Sequence, residues 1–185
     1  MAYQDDIKKA AALLLPWNKL SGCNILVTGA TGLIGGCLVD VLMAHKGRNY
    51  NVYASGRNEE RAGRRFLKYA DDNSFHFVKY DVAHPLEYDV NFQYIIHAAS
   101  GAYPEEFIKH PVEVIKGNIN GVDNLMGYGI QHGIKRLLYI SSGEVYGEGD
   151  GRVFTENYSG YVDCTSLRSC YPSSKRAAET LCISY

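Results

Sequence analysis

The stretch Asn24-Ile25-Leu26-Val27-Thr28-Gly29-Ala30-Thr31-Gly32-Leu33-Ile34-Gly35 decides the fold of this 185-residue chain. The apolar run Ile25-Leu26-Val27 reads as a buried strand, and the apolar spacing from about Leu33 to His45 reads as a helix. The glycines between them therefore sit in a strand–turn–helix unit, the context that a dinucleotide-binding turn requires. Gly29 permits the sharp turn, Gly32 removes a side chain that would block a pyrophosphate, and Gly35 lets the helix approach the sheet closely. Thr31, Leu33 and Ile34 complete the loop, where free N–H groups and the positive end of the helix dipole meet the phosphates.

Working outward, strands are expected at 51–54, 75–79, 94–98 and 137–141. Helical spacing covers 59–69, and 104–132 holds one long or two consecutive helices with Gly117 and Gly121 as weak points. Parallel strands cannot be joined by tight turns, so this alternation calls for crossover helices and an α/β fold built on a doubly wound parallel sheet, a Rossmann fold. Residues 147–169, rich in Gly, Ser, Asp and Thr, read as a long loop, and a last helix starts near Tyr171. At the other end, residues 3–15 look like an amphipathic helix stopped by Pro16, with Trp17 and Leu20 pinning it down. Residues 1–22 are thus read as an N-terminal helical extension and 23–185 as the dinucleotide-binding domain.

Nineteen basic and twenty acidic residues give a formal net charge of -1, so nothing electrostatic calls for nucleic acid or an anionic membrane as partner. A small ligand fits better. The five cysteines form no C-x-x-C pair and lack accompanying His spacing, so no metal site is expected and all five are read as reduced, buried thiols. The apolar run Ala10 to Leu15 is too short for a membrane span or a signal peptide, which leaves the cytoplasm as the default compartment.

The end of the second strand, Tyr53-Ala54-Ser55-Gly56-Arg57-Asn58, lacks the acid that commonly binds the ribose hydroxyls of NAD. Arg57 could stack on adenine or neutralise the 2'-phosphate of NADP, while Arg61, Arg64 and Arg65 are read mainly as the solvated face of the next helix. NAD and NADP both stay open. Asp81-Val82, after the third strand, could hold an adenine amino group or cap a turn. Tyr171 and Lys175 lie four apart at the start of the last helix and project from one face. A phenol with a pKa of about 10 is a poor base at neutral pH, but a neighbouring ammonium favours the phenolate. Ser142, at the end of the fifth strand, could hold a substrate oxygen in the crevice that parallel strands form there. His97 reads as a packed, hydrogen-bonded histidine, and Glu144 as either a loop cap or an acid/base.

Taken in order, Gly29 to Gly35, His97-Ala98-Ala99, Ser141-Ser142-Gly143-Glu144-Val145-Tyr146-Gly147 and Tyr171-Pro172-Ser173-Ser174-Lys175 resemble the signature set of extended short-chain dehydrogenases/reductases, the NAD-dependent epimerases and dehydratases that act on nucleotide sugars. Arg168-Ser169-Cys170-Tyr171 and the residues after Lys175 are especially similar to UDP-glucuronate decarboxylases, and Glu144 occupies the place of an acid that those enzymes share with dTDP-glucose 4,6-dehydratases. The resemblance implies a catalytic set of Ser142, Tyr171 and Lys175, with Glu144 as auxiliary acid/base, and transient oxidation of a sugar hydroxyl by a cofactor that takes its hydride back. It also implies that Ala98, Ala99, Ser100, Asn118, Tyr171 and Lys175 join the phosphate loop in holding NAD or NADP.

Departures are Ala98 where the family usually has Leu, Gly143 where Ser, Asp or Ala is usual, and the absent second-strand acid. Relatives carry a further C-terminal region, so the substrate domain is expected to be largely absent here. On that reading the chain is a truncated product or fragment that binds a dinucleotide but turns over nucleotide sugars poorly, and it forms a homodimer. Competing readings are an NADPH-dependent carbonyl reductase of the same fold and a non-catalytic dinucleotide-binding module.

Overall fold

A computed structural model describes residues 2–185; Met1, at the edge of the expected 1–22 extension, lies outside the described residues. The helices are α1 (Ala2–Ala11), α2 (Leu33–Ala44), α3 (Glu59–Phe66), α4 (Pro104–Lys109), α5 (Pro111–Gln131) and α6 (Cys170–Ser184). The strands are β1 (Asn24–Thr28), β2 (Asn51–Gly56), β3 (Phe75–Lys79), β4 (Tyr94–His97) and β5 (Arg136–Tyr139), all parallel in the order β3-β2-β1-β4-β5.

The strand period explains both layers of the core. Ile25 and Val27 of β1 point to one face, where they meet Val39, Leu42 and Met43 of α2 and Ala62 and Phe66 of α3. Leu26, between them, points the other way into Phe92, Ile95 and, on α5, Leu125 and Tyr128. A strand covered on both faces reads as continuous apolar sequence, and each such fully buried side chain contributes roughly 1.5–3 kcal/mol.

Several boundaries differ from expectation for identifiable reasons. The helix α1 stops at Ala11, well before Pro16, because Ile7 and Ala11 are its buried positions whereas Leu13, Leu14 and Leu15 are exposed and pack on nothing that would extend it. Trp17 stacks on His45, with ring centroids 4.2 Å apart, while α1 itself is tied to α2 through Tyr3. The 104–132 region breaks at His110–Pro111 and not at its glycines, since a proline starts a helix more easily than it continues one. Gly121 sits under His97, where a Cβ would lie 2.8 Å from the imidazole Nε2. The cysteines are all free, but only Cys23 and Cys170 are buried; Cys37 and Cys182 are half-buried and Cys164 is exposed. Among the described residues no helix is long and apolar enough to cross a membrane, and no group of His, Cys, Asp or Glu could hold a metal ion.

Two buried polar groups fix the sheet's surroundings. Asp40, on the inward face of α2 with its side chain fully covered, accepts from Arg65 at 2.5 Å, Tyr3 at 2.6 Å, and Lys68 and Tyr69 at 2.9 Å each. Burial alone would raise its pKa, but hydrogen bonds from Arg65, Tyr3, Lys68 and Tyr69 outweigh that and hold it down at about 2. Arg65 is therefore no solvated residue, as the sequence had suggested, because a buried carboxylate needs a paired cation; Arg64 does lie on the surface, paired with Glu60. His97, at the end of β4 and completely buried, places Nδ1 2.8 Å from Thr28 Oγ1 at the end of β1. Burial, assisted by the positive charge of Lys175, lowers its pKa to about 3, so the imidazole is neutral.

Both groups give acid sensitivity, in different windows. As pH falls below about 6.5 the unfolded chain takes up a proton that folded His97 refuses, so stability declines from there down to about pH 3. The contribution of Asp40 is complete above its unfolded pKa near 4 and is lost as pH falls toward about 2. Urea unfolding as a function of pH should show His97→Gln flattening the upper window, and Asp40→Asn flattening the lower one while costing about 3 kcal/mol at neutral pH.

Candidate active site

The site grows from the adjoining carboxyl ends of β1 and β4, the point where the sheet order reverses. Gly29 follows β1 with φ +65°, and a Cβ there would lie 2.7 Å from backbone atoms of Ala98 and Ala99. Only glycine supplies both that conformation and that approach. A Cβ on Gly35 would fall 2.4 Å from the carbonyl oxygen of Gly29, so Gly35 makes room for the loop backbone and not, as expected, for the sheet. Gly32 stands at the N-cap of α2, and no side chain caps that helix. The first-turn amides thus have no side-chain acceptor, an arrangement that fits a dinucleotide pyrophosphate.

A cleft of about 450 Å³ opens over this loop. It gathers most of the expected cofactor residues: Gly29, Thr31, Gly32, Arg57, Asp81, Val82, Ala98, Ala99, Ser100 and Asn118 all line it. Leu33, Ile34 and Gly35 do not; the side chains of Leu33 and Ile34 are exposed, and Gly35 is buried behind the loop. Asp81 caps its turn by accepting from the Ala83 amide at 3.1 Å and pairs with Arg57 at 3.9 Å. Arg61, exposed as expected of the solvated face, also reaches the loop and donates to the Thr31 carbonyl at 3.1 Å. The sequence reading missed Tyr103, Glu113 and Lys116 on the far wall, since nothing in an exposed helix or loop position marks it as facing a ligand.

Beside this cleft, α6 presents Tyr171 and Lys175 from one face, both buried. Lys175 Nζ donates to the Ile140 carbonyl, just past β5, at 2.8 Å. It lies 4.5 Å from the ring centre of Tyr139 and 5.7 Å from that of Tyr171. Burial lowers its pKa to about 8, opposed by the charge of Glu179, and it remains largely an ammonium at neutral pH. Tyr171 stacks on Phe107 at 4.6 Å. Ser142 Oγ accepts from the Glu144 amide at 3.3 Å, and Glu144 accepts from Arg168 at 2.6 Å, whose guanidinium covers the Phe107 ring at 4.5 Å.

None of Ser142, Glu144, Tyr171 and Lys175 lines the 450 Å³ cleft, and among the described residues no hydrogen bond joins the Tyr171 hydroxyl to Ser142 or Lys175. The tie between the two regions is Asn118. Its Oδ1 accepts from Ser100 Oγ in the cleft wall at 2.8 Å, and its Nδ2 donates to Ser174 Oγ, one residue before Lys175, at 2.9 Å. Phe107 was not singled out from the sequence, since an apolar residue in a helix reads as core, and Arg168 and Ser174 were named only within the motifs around Tyr171, without a role of their own.

Comparison with known proteins points the same way. UDP-glucuronic acid decarboxylase 1 of Danio rerio is 34% identical over 163 residues, covering 87% of this chain and 37% of that protein. UDP-glucuronic acid decarboxylase 6 of Arabidopsis thaliana is 36% identical over 168 residues, covering 89% of this chain and 47% of that protein. The chain therefore spans less than half the length of these relatives. Among solved structures, UDP-N-acetylglucosamine 4-epimerase of Methanobrevibacter ruminantium M1 superposes with a TM-score of 0.71 at 22% identity, over 89% of this chain and 50% of that one. The dTDP-glucose 4,6-dehydratase of Bacillus anthracis, solved with NAD, gives 0.70 at 22% identity with the same coverage. These two likenesses establish the fold. A model of the NAD dependent epimerase/dehydratase family matches residues 25–185, and this chain belongs to that family.

Proposed function

We propose that residues 23–185 form the dinucleotide-binding part of a nucleotide-sugar enzyme that transiently oxidises a sugar hydroxyl, with residues up to 22 as an appendage. Ser142, Tyr171 and Lys175 are its catalytic set and Glu144 an auxiliary acid/base. The observation that carries this reading is the buried ammonium of Lys175, held on the Ile140 carbonyl 5.7 Å from the Tyr171 ring, at strand ends tied by Asn118 to the dinucleotide cleft. In this reading Tyr171 takes the proton of the sugar hydroxyl, with the Lys175 ammonium supplying positive charge beside its ring.

Ser142 can hold the substrate oxygen, because its Oγ accepts from the Glu144 amide and its own proton stays available to donate. Arg168 keeps the Glu144 carboxylate in one place. A bound nicotinamide dinucleotide supplies the hydride acceptor. The 34–36% identity to UDP-glucuronic acid decarboxylases favours decarboxylation of a uronate over epimerisation as the outcome in the complete enzyme. Self-association belongs to the same reading, supported by the exposed apolar residues Ile108, Val112 and Ile115 on α4 and α5; a monomer in light scattering removes that element.

Three outcomes are expected. In a complete-length enzyme Tyr171→Phe should lower turnover by about 10²–10⁴-fold, while the same change in this chain leaves dinucleotide affinity intact. Turnover should fall as pH rises through about 8, where Lys175 loses the charge that assists Tyr171; a rate still rising beyond that pH contradicts the role. Gly35→Ala should abolish dinucleotide binding measured by calorimetry, because the added Cβ displaces the Gly29 carbonyl.

A further inference from the structure

Lys175 is an ammonium held in the interior without a counter-ion. It is 2% exposed, its Nζ donates to the Ile140 carbonyl at 2.8 Å, and among the described residues it pairs with no carboxylate. Glu179, one turn further along α6, acts on it only through space. A single carbonyl satisfies one of the three N–H bonds that an ammonium carries, and a buried charge so thinly partnered is normally given up as a proton.

The second partner is an aromatic face. Tyr139, at the end of β5, has its ring centre 4.5 Å from the Lys175 Nζ, well inside the roughly 6 Å over which a cation is drawn to the negative face of a ring. The Tyr171 ring, at 5.7 Å, stands near that limit. From β4 the His97 ring approaches Tyr139 with 5.4 Å between centres, and it is neutral, so no second cation competes for the same face. The Tyr139 hydroxyl is buried and, among the described residues, has no hydrogen-bond partner. Burial holds this phenol well above its ordinary range, with Cys182, Tyr171 and Glu179 adding to the effect, so Tyr139 meets Lys175 as a neutral ring and not as a phenolate.

We propose that Tyr139 is a positioning residue for Lys175: its ring face takes the place of a counter-ion and holds the buried ammonium between the Ile140 carbonyl and Tyr171. The proposal rests on the reading of Lys175 and Tyr171 as partners in the reaction, and adds what keeps the lysine in the state that reading needs. The hydroxyl of Tyr139 has no part in it. A ring of the same shape with less electron density in its face holds the charge less well.

Titration of Lys175 in this chain, followed by carbon NMR at its Cε and with the signal identified by its loss in Lys175→Arg, tests this. Tyr139→Phe should leave the midpoint of the unaltered chain unchanged. Progressively fluorinated phenylalanines at the same position should lower it stepwise, by about one pH unit at full fluorination, and Tyr139→Leu should lower it as well. From a midpoint of about 8, such a shift takes the charged fraction at pH 7 from about nine-tenths to about one-half. A ring that serves only as apolar cover gives a different pattern: fluorination leaves the midpoint in place, and Tyr139→Leu admits water and raises it toward the ordinary lysine value. Either result overturns the proposal, as does a shift in Tyr139→Phe. The titration involves no cofactor, so it holds or fails separately from the functional reading, which falls if no nicotinamide dinucleotide binds.

Discussion

The structure depends on one steric constraint: at the crossing of the first strand–helix turn with the end of β4 there is no space for a Cβ. Gly29 lies against the Ala98–Ala99 backbone, and Gly35 folds back over the Gly29 carbonyl. This close approach brings the uncapped start of α2 and the carboxyl ends of the two central strands to one rim. A side chain at either glycine would hold the loop off the strand ends and separate it from the cleft wall that holds Ser100 and Asn118.

From that rim a continuous polar chain runs to the candidate catalytic helix. Thr28 contacts the His97 imidazole and accepts from the Ala99 amide, the His97 carbonyl accepts from the Ile140 amide, and the Ile140 carbonyl accepts from Lys175. Asn118 makes a parallel link through Ser100 and Ser174. In a low-dielectric interior each of these bonds is expensive to leave unmade, so the set fixes the spacing between β1, β4, β5 and α6 more firmly than apolar packing alone would. The neutral state of His97 belongs to this arrangement, since a charged imidazole there would face the Lys175 ammonium without a counter-ion.

Much of the fold was legible because its signals are local. The run Ile25-Leu26-Val27 before three spaced glycines could form little except a covered strand and a tight turn into a helix, and β3 fell where its apolar spacing put it. What escaped were features set by partners distant in sequence. Nothing around Arg65 announces that Asp40, twenty-five residues earlier, will be buried and need it. The end of α1 could not be read from Leu13-Leu14-Leu15, because an apolar run says nothing about whether a surface waits to receive it. For the site, the cleft residues follow from the loop and the strand ends, whereas the stacking of Phe107 on Tyr171 and the ion pair of Arg168 with Glu144 depend on how α4 and the 147–169 loop return to α6.

The central claim is that a dinucleotide lies across the first strand–helix turn and reaches the Tyr171–Lys175 pair. Amide-resolved NMR of the labelled chain during titration with a nicotinamide dinucleotide addresses it most directly. The account predicts large shifts at Gly29, Gly32 and Leu33, at Ala98 to Ser100, and at the start of α6 around Tyr171 and Lys175. Shifts confined to the loop, with α6 unmoved, or shifts on the opposite edge of the sheet would contradict it.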